Sequence, residues 1–286
     1  MNDVFSPVDA LRFGWYTLKK NISFFLVLMI VVAALYAILY LIGMLFLLFH
    51  GINGTIIVLS ILVAIAAAAI NITVEMGLLK IALSFRDNIM PEIRDLFRSY
   101  PLMLNYLAAS IIYGLMIFGG IALFAAGNFY LGSEGGVGQI ILLFGLVLLA
   151  IYLALKYQFY GYLIVDKGMG PIEALQQSGK LTACALKPLL IFWLLLYCLI
   201  FIIVIVIVTL FALPVSILAS SISKGLLAIL AALINFISLI INLLVIVPIT
   251  KLSTAYIYRA LEEHHLSSES EELEEELDTE VDESMD

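Results

Sequence analysis

The sequence predicts an all-α integral membrane protein, with six transmembrane helices and three short interfacial helices set out as three parallel tandem repeats. Three observations predict it. The 286 residues are 64% hydrophobic and 13% charged, against about 45–50% and about 25% in soluble domains. Six apolar runs reach membrane-spanning length. Three similar segments, each opening on a proline, precede alternate runs. The composition excludes a soluble domain, a disulfide-rich secreted module and an intrinsically disordered chain.

The first segment, Pro7-Val8-Asp9-Ala10-Leu11, has the features of a helix start. Proline at the first helical position loses no hydrogen bond, and an acid in the first turn meets the positive end of the helix dipole. Val8, Leu11, Trp15 and Leu18 then recur at helical spacing, which predicts an amphipathic helix lying at the interface. Pro91-Glu92-Ile93-Arg94-Asp95-Leu96 and Pro171-Ile172-Glu173-Ala174-Leu175 repeat the pattern. In the last of these, Ser178 and Gly179 interrupt the apolar face.

Crossing the hydrocarbon takes about 20 mostly apolar residues, because only a helix satisfies its own backbone there. Residues 22–49, 102–126, 137–155, 188–217 and 225–250 carry no charge, and residues 54–79 carry one, Glu75. The first run is longer than the 7–15 apolar residues or so of a signal peptide, and further runs follow it. It therefore reads as a first span.

Orientation follows from Lys and Arg. Thirteen of the fourteen lie on one side of the six runs, and the other side's loops hold only Lys224. Both termini are expected in the cytoplasm. All 14 Lys and Arg precede residue 262, whereas 13 of the 22 acidic residues lie from residue 262 onward. The chain therefore divides into a membrane domain, 1–261, and an acidic tail, 262–286, that is expected to be disordered. The repeats span about 4–88, 89–168 and 169–261, each an interfacial helix followed by a membrane hairpin.

With the stretches Ala10-Leu-Arg-Phe-Gly-Trp-Tyr-Thr-Leu-Lys-Lys-Asn21, Glu75-Met-Gly77 to Pro91, and Pro171-Ile-Glu-Ala-Leu-Gln-Gln-Ser-Gly-Lys-Leu-Thr182, residues 4–261 resemble a group of bacterial six-span membrane proteins. The group includes the YciC-like proteins and the membrane domain found beside some glycerophosphodiester phosphodiesterases. The resemblance implies a location in the inner membrane. It implies no catalytic residues, because the phosphodiesterase's soluble domain has no counterpart here. The acidic tail falls outside the pattern.

Glu75 is the most informative single residue. An acid inside a span is costly and is a functional hypothesis by default. It ends a stripe of Ser60, Ala64, Ala67, Ala68 and Asn71, whose small side chains permit close helix contact. Asn235, Ser238 and Asn242 form a similar stripe in the sixth span. Glu75, Asn71, Lys156, Asn235 and Asn242 thus make a candidate intramembrane polar face. In a packing reading Glu75 pairs with Lys156 or reaches the interface. In a functional reading the face lines a cavity for a solute, a proton or a lipid headgroup. Tyr157, Phe159, Tyr160 and Tyr162 read as an interfacial aromatic belt.

Other features carry no chemistry. The glycine-rich stretch 132–138 lacks the strand and the Gly-Lys-Ser/Thr of a phosphate loop and reads as a connector. His50, His264 and His265 form no metal-ligand pattern, and no cofactor is expected. Pro214 and Pro248 predict kinks or unwound turns near the ends of spans five and six. In the tail, Leu273, Leu277 and Val281 fall at helical spacing and offer a face to a basic protein partner. No nucleic-acid partner is expected. Two function classes stay open. One is a non-enzymatic membrane module that packs against lipids or partner proteins in envelope homeostasis. The other is a small solute or lipid transporter using the polar face around Glu75.

Overall fold

The computed structural model describes residues 4–48, 54–131, 136–212, 214–215 and 223–285. Every regular element among them is helical. In order these are α1 (Pro7–Lys20), α2 (Ile22–Leu48), α3 (Gly54–Arg86), α4 (Asp95–Arg98), α5 (Met103–Leu131), α6 (Val137–Tyr157), α7 (Tyr160–Lys167), α8 (Pro171–Leu181), α9 (Leu186–Ile207), α10 (Lys224–Ile241) and α11 (Val247–Met285). Six stretches are long and apolar enough to cross a membrane: Ile22–Met44, Val58–Arg86, Asp95–Asn128, Val137–Lys167, Leu186–Phe211 and Gly225–Ser268. The protein is an all-α polytopic membrane protein.

The local chemistry explains most boundaries. Ser6 caps α1 by accepting from the Asp9 amide at 3.3 Å, with Pro7 in the first turn. Pro171 opens α8, and Glu173 accepts from the Gly170 amide at 3.3 Å. The Pro91 segment departs from the expected pattern. Asp95 turns back to accept from the Glu92 amide at 2.8 Å, so helix begins only at Asp95 and lasts four residues. A 3-10 turn at Tyr100–Leu102, containing Pro101, then leads into α5. Helices α3 and α7 end on left-handed residues, Asn88 at φ 57° and Gly168 at φ 68°, the residue types that tolerate that conformation.

Both expected proline distortions take the same form. A π-helical turn, Val208–Ala212, precedes Pro214, and another, Asn242–Ile246, precedes Pro248. Proline removes one amide and crowds the carbonyl four residues back. Those carbonyls belong to Leu210 and Leu244, inside the two widened turns.

The buried core lies at the end of the bundle that carries Lys80, Lys156 and Lys251. Met76, Ile81 and Leu83 of α3, Phe159, Leu163 and Ile164 at α7, and Leu252, Ile257 and Tyr258 of α11 are almost fully enclosed. Toward the other end the spans present large apolar side chains outward, such as Phe118, Ile140 and Leu210. That is the surface expected of helices solvated by lipid.

The short helices brace this core. Helix α1 lies along α11, α4 lies along α3, and α8 packs on α7. Glycines set two of these contacts. A Cβ on Gly14 would strike Ser253 Oγ and approach Ile249 O to 3.0 Å, and one on Gly77 would land on the backbone of Leu96. The α11 helix runs on to Met285, where the charge run alone predicts an unstructured tail. Glu and Leu are good helix formers, so the local preference of this segment is helical. The glycine-rich connector lies mostly outside the described residues, as does His50.

Gly77→Ala is expected to cost about 3 kcal/mol or more, because the obstacle is backbone that cannot rotate away. Ser253→Ala, which removes a buried hydroxyl without a hydrogen-bond partner, is expected to be neutral or stabilising. Thermal unfolding in detergent, followed by tryptophan fluorescence, separates the two.

Candidate functional site

The site begins with a break in a span. Helix α6 stops at Tyr157 and α7 starts at Tyr160, just past Lys156 within the candidate span Val137–Lys167, which frees backbone groups in the packed end of the bundle. Helix α8 satisfies them. Ser178 Oγ accepts from the Phe159 amide at 3.1 Å, and Thr182 Oγ1 donates to Lys156 O at 2.7 Å. Gly179 lets α8 come this close, since a Cβ there would sit 3.0 Å from the Tyr157 ring. Ser178 and Gly179, which interrupt the apolar face in the sequence, are thus the contact itself. Irregular backbone inside a membrane is tolerated where it is buried in protein or lines a cavity. Here it does both.

The break opens onto a pocket of about 230 Å³ between α3, α5, α7, α9 and α11. Glu75 and Lys251 face each other across it, with Lys251 Nζ donating to Glu75 Oε1. They are the charged residues of the lining. Their side chains are 37% and 22% exposed, so the pair is neither buried nor free in solvent. The walls are aromatic and hydroxylated. The Tyr162 hydroxyl reaches Lys251 O at 3.1 Å and also bonds Thr254 Oγ1. The Tyr160 hydroxyl bonds Ser110 Oγ at 2.9 Å. Trp193 Nε1 donates to Gln158 Oε1 at 2.7 Å, and Gln158 Nε2 donates to Leu155 O at 3.1 Å. Phe159, Tyr160 and Tyr162 therefore wall the pocket instead of forming the expected belt.

The predicted polar face separates into its parts. Glu75 is in the pocket, but its partner is Lys251 and not Lys156. Lys156 lies beside Tyr152 and Tyr157, its Nζ 5.6 and 5.7 Å from the ring centres. Asn71, Asn235 and Asn242 are exposed on the outside of their helices. Asn235 Nδ2 donates to Ala231 O one turn back at 2.8 Å. The small residues Ser60, Ala64 and Ala67 line a separate groove of about 480 Å³ against Tyr40, Gly43 and Met44 of α2. Sequence periodicity placed these residues on a face but could not say which neighbour that face meets.

Sequence reasoning missed the partner lysine and a second ionic cluster near by. Arg259 of α11 donates to Asp87 after α3 (2.9 and 2.7 Å), to Asp166 of α7 (2.6 and 3.0 Å) and to Glu262 (2.7 Å). Tyr258 donates to Asp166 at 3.2 Å, and Lys167 pairs with Glu262 at 2.7 Å. Two-pronged arginine–carboxylate geometry is the strong form of this bond. It ties the ends of three spans together beside the pocket. The available signal was an acid or arginine at the end of spans two, four and six; charge counting for orientation hid it.

The chain matches no protein-family model, no curated protein and no solved structure. Its reading therefore rests on its own geometry.

Arg259→Ala is expected to cost about 3–5 kcal/mol, because it strands Asp87, Asp166 and Glu262 at a partly buried site. Lys251→Met is expected to cost less, about 1–2 kcal/mol, since Glu75 is partly exposed. The paired change Glu75→Gln with Lys251→Met is expected to be milder than Lys251→Met alone. Unfolding midpoints of the four proteins in one detergent test the order.

Proposed function

We propose that this protein is a non-enzymatic, lipid-interacting membrane module whose binding site is the Glu75–Lys251 pocket. The observation that carries the reading is the broken span. A span interrupted beside an ion pair and a cavity is how membrane proteins build binding sites from discontinuous helices. The pocket offers one acid, one base and several hydroxyls, which suits a polar group held by hydrogen bonds. It offers no nucleophile with a base to activate it, among the described residues.

The setting we infer is the inner membrane, with both termini in the cytoplasm. The thirteen-to-one distribution of Lys and Arg supports it, as does the resemblance to YciC-like proteins. We read the fold as three tandem units closed into a ring. The pairings of α4 with α3, α8 with α7, and α1 with α11 are those such a ring makes, each interfacial helix lying on the second span of the unit before it. The helical spacing of Leu273, Leu277 and Val281 among acids in the sequence supports a basic partner protein for the acidic segment.

A transporter is the second reading, favoured by the π-helical turn Asn242–Ile246 a few residues before Lys251. Such turns recur at functional sites. Against it, Asn71, Asn235 and Asn242 do not continue the polar lining beyond the pocket.

Protein purified in mild detergent is expected to carry a small molecule, identifiable by mass spectrometry, that the Glu75→Gln, Lys251→Met double variant lacks. Equal content in both proteins at equal folded yield removes the pocket from the proposal. Flux of that molecule across reconstituted vesicles would instead favour the transporter.

A further inference from the structure

We infer that the ligand of the Glu75–Lys251 pocket is a lipid-like amphiphile with a head group of no net charge, which enters sideways from the bilayer. The inference rests on the pocket reading above and adds the class of ligand and its route.

The route comes from a second cavity. A groove of about 420 Å³ runs between α6 and α9, walled by Ile151, Leu155, Leu190 and Leu194. It shares three residues with the polar pocket: Tyr113, Gln158 and Trp193. The Trp193–Gln158 hydrogen bond at 2.7 Å therefore stands as a partition between a polar chamber and an apolar one. Ile151, Leu190, Leu194 and Tyr197 are all exposed on the flank of the bundle, the flank that faces hydrocarbon. A water-soluble ligand has no use for such an approach. A molecule with a polar end and a hydrocarbon end matches both chambers at once, and together they fall within the range of about 300–1,000 Å³ usual for ligand sites.

The head group follows from charge. Glu75 and Lys251 give the lining one negative and one positive group. A net anionic or net cationic head group would satisfy one of them and strand the other in a partly enclosed site, which is costly. A zwitterionic head group exchanges one internal pair for two external ones, and an uncharged polyol leaves the internal pair intact. Both keep the site neutral. The hydroxyl oxygens of Tyr160 and Tyr162, already partnered to Ser110 and Thr254, each keep acceptor capacity for a hydrogen bond from the head group.

The full chain, reconstituted in nanodiscs of equal parts phosphatidylethanolamine, phosphatidylglycerol and diacylglycerol, tests this by mass spectrometry of the lipid retained after detergent exchange. Phosphatidylethanolamine or diacylglycerol is expected to be retained at least about tenfold over phosphatidylglycerol. Leu194→Trp, which fills the groove from an exposed position, is expected to lower retention about tenfold, while Leu123→Trp on an open lipid-facing surface leaves it unchanged. Retained phosphatidylglycerol overturns the head-group assignment. Equal retention in Leu194→Trp and the wild type overturns the sideways route. If soluble glycerophosphoethanolamine still raises the unfolding midpoint of the wild type but not of Glu75→Gln, Lys251→Met, the pocket stands without the groove. If neither the lipid nor the soluble head group responds to the double variant, the pocket itself falls.

Discussion

A helix that stops inside a packed core must hand its freed backbone groups to another part of the protein. Each buried group left unmet costs on the order of 1–3 kcal/mol. The interruption at residues 158–159 is possible because Ser178 and Thr182 stand ready on α8 and because Gly179 has no side chain to hold the helices apart. The rest of the site depends on that arrangement. Gln158 and Tyr160 stand on the cavity wall, and α7 carries Asp166 to Arg259. A short interfacial helix is thus a structural component of the span it braces.

Charge is used sparingly, and the two clusters beside the core join elements distant in sequence. Glu75 meets Lys251, 176 residues away, and Arg259 meets Asp87 and Asp166 at separations of 172 and 93. Lipid gives apolar helices little reason to prefer one another, because hydrocarbon solvates them as well as a neighbour does. A small number of polar contacts and close glycine crossings must then specify which spans adjoin. Both clusters and the Gly14 and Gly77 crossings sit in the same half of the bundle as the buried core. Specificity and packing are concentrated there, and the outer halves of the spans are left to the lipid.

The architecture was legible in the sequence because length and hydropathy act locally. Six runs, the first and third interfacial helices and the distorted turns near Pro214 and Pro248 all follow from neighbouring residues. The second interfacial helix was overestimated because Asp95 caps backward onto Glu92, a choice that the Pro-acid pattern does not reveal. The site was legible only as Glu75. Which lysine answers it depends on how spans two and six approach each other, and Lys156, nearer in sequence, was the natural but incorrect candidate. Tyr160 and Tyr162 read as a headgroup belt in the sequence because a tyrosine beside an apolar run looks the same whether it faces lipid or a cavity. Ser178 and Thr182 could not be interpreted until the break they fill was visible.

The docking of α1 along α11 has a consequence for biosynthesis. Gly14 leaves the ribosome about 235 residues before its partners Ile249 and Ser253. At elongation rates of about 5–20 residues per second, the amino-terminal helix waits on the order of ten seconds or more for the surface it finally covers. Until then its apolar side has the membrane interface as its resting place. Quality-control machinery in the membrane would meet the unclosed chain with this helix still unclaimed, so the docking of α1 on α11 is the point at which a closed bundle becomes distinguishable from an open one.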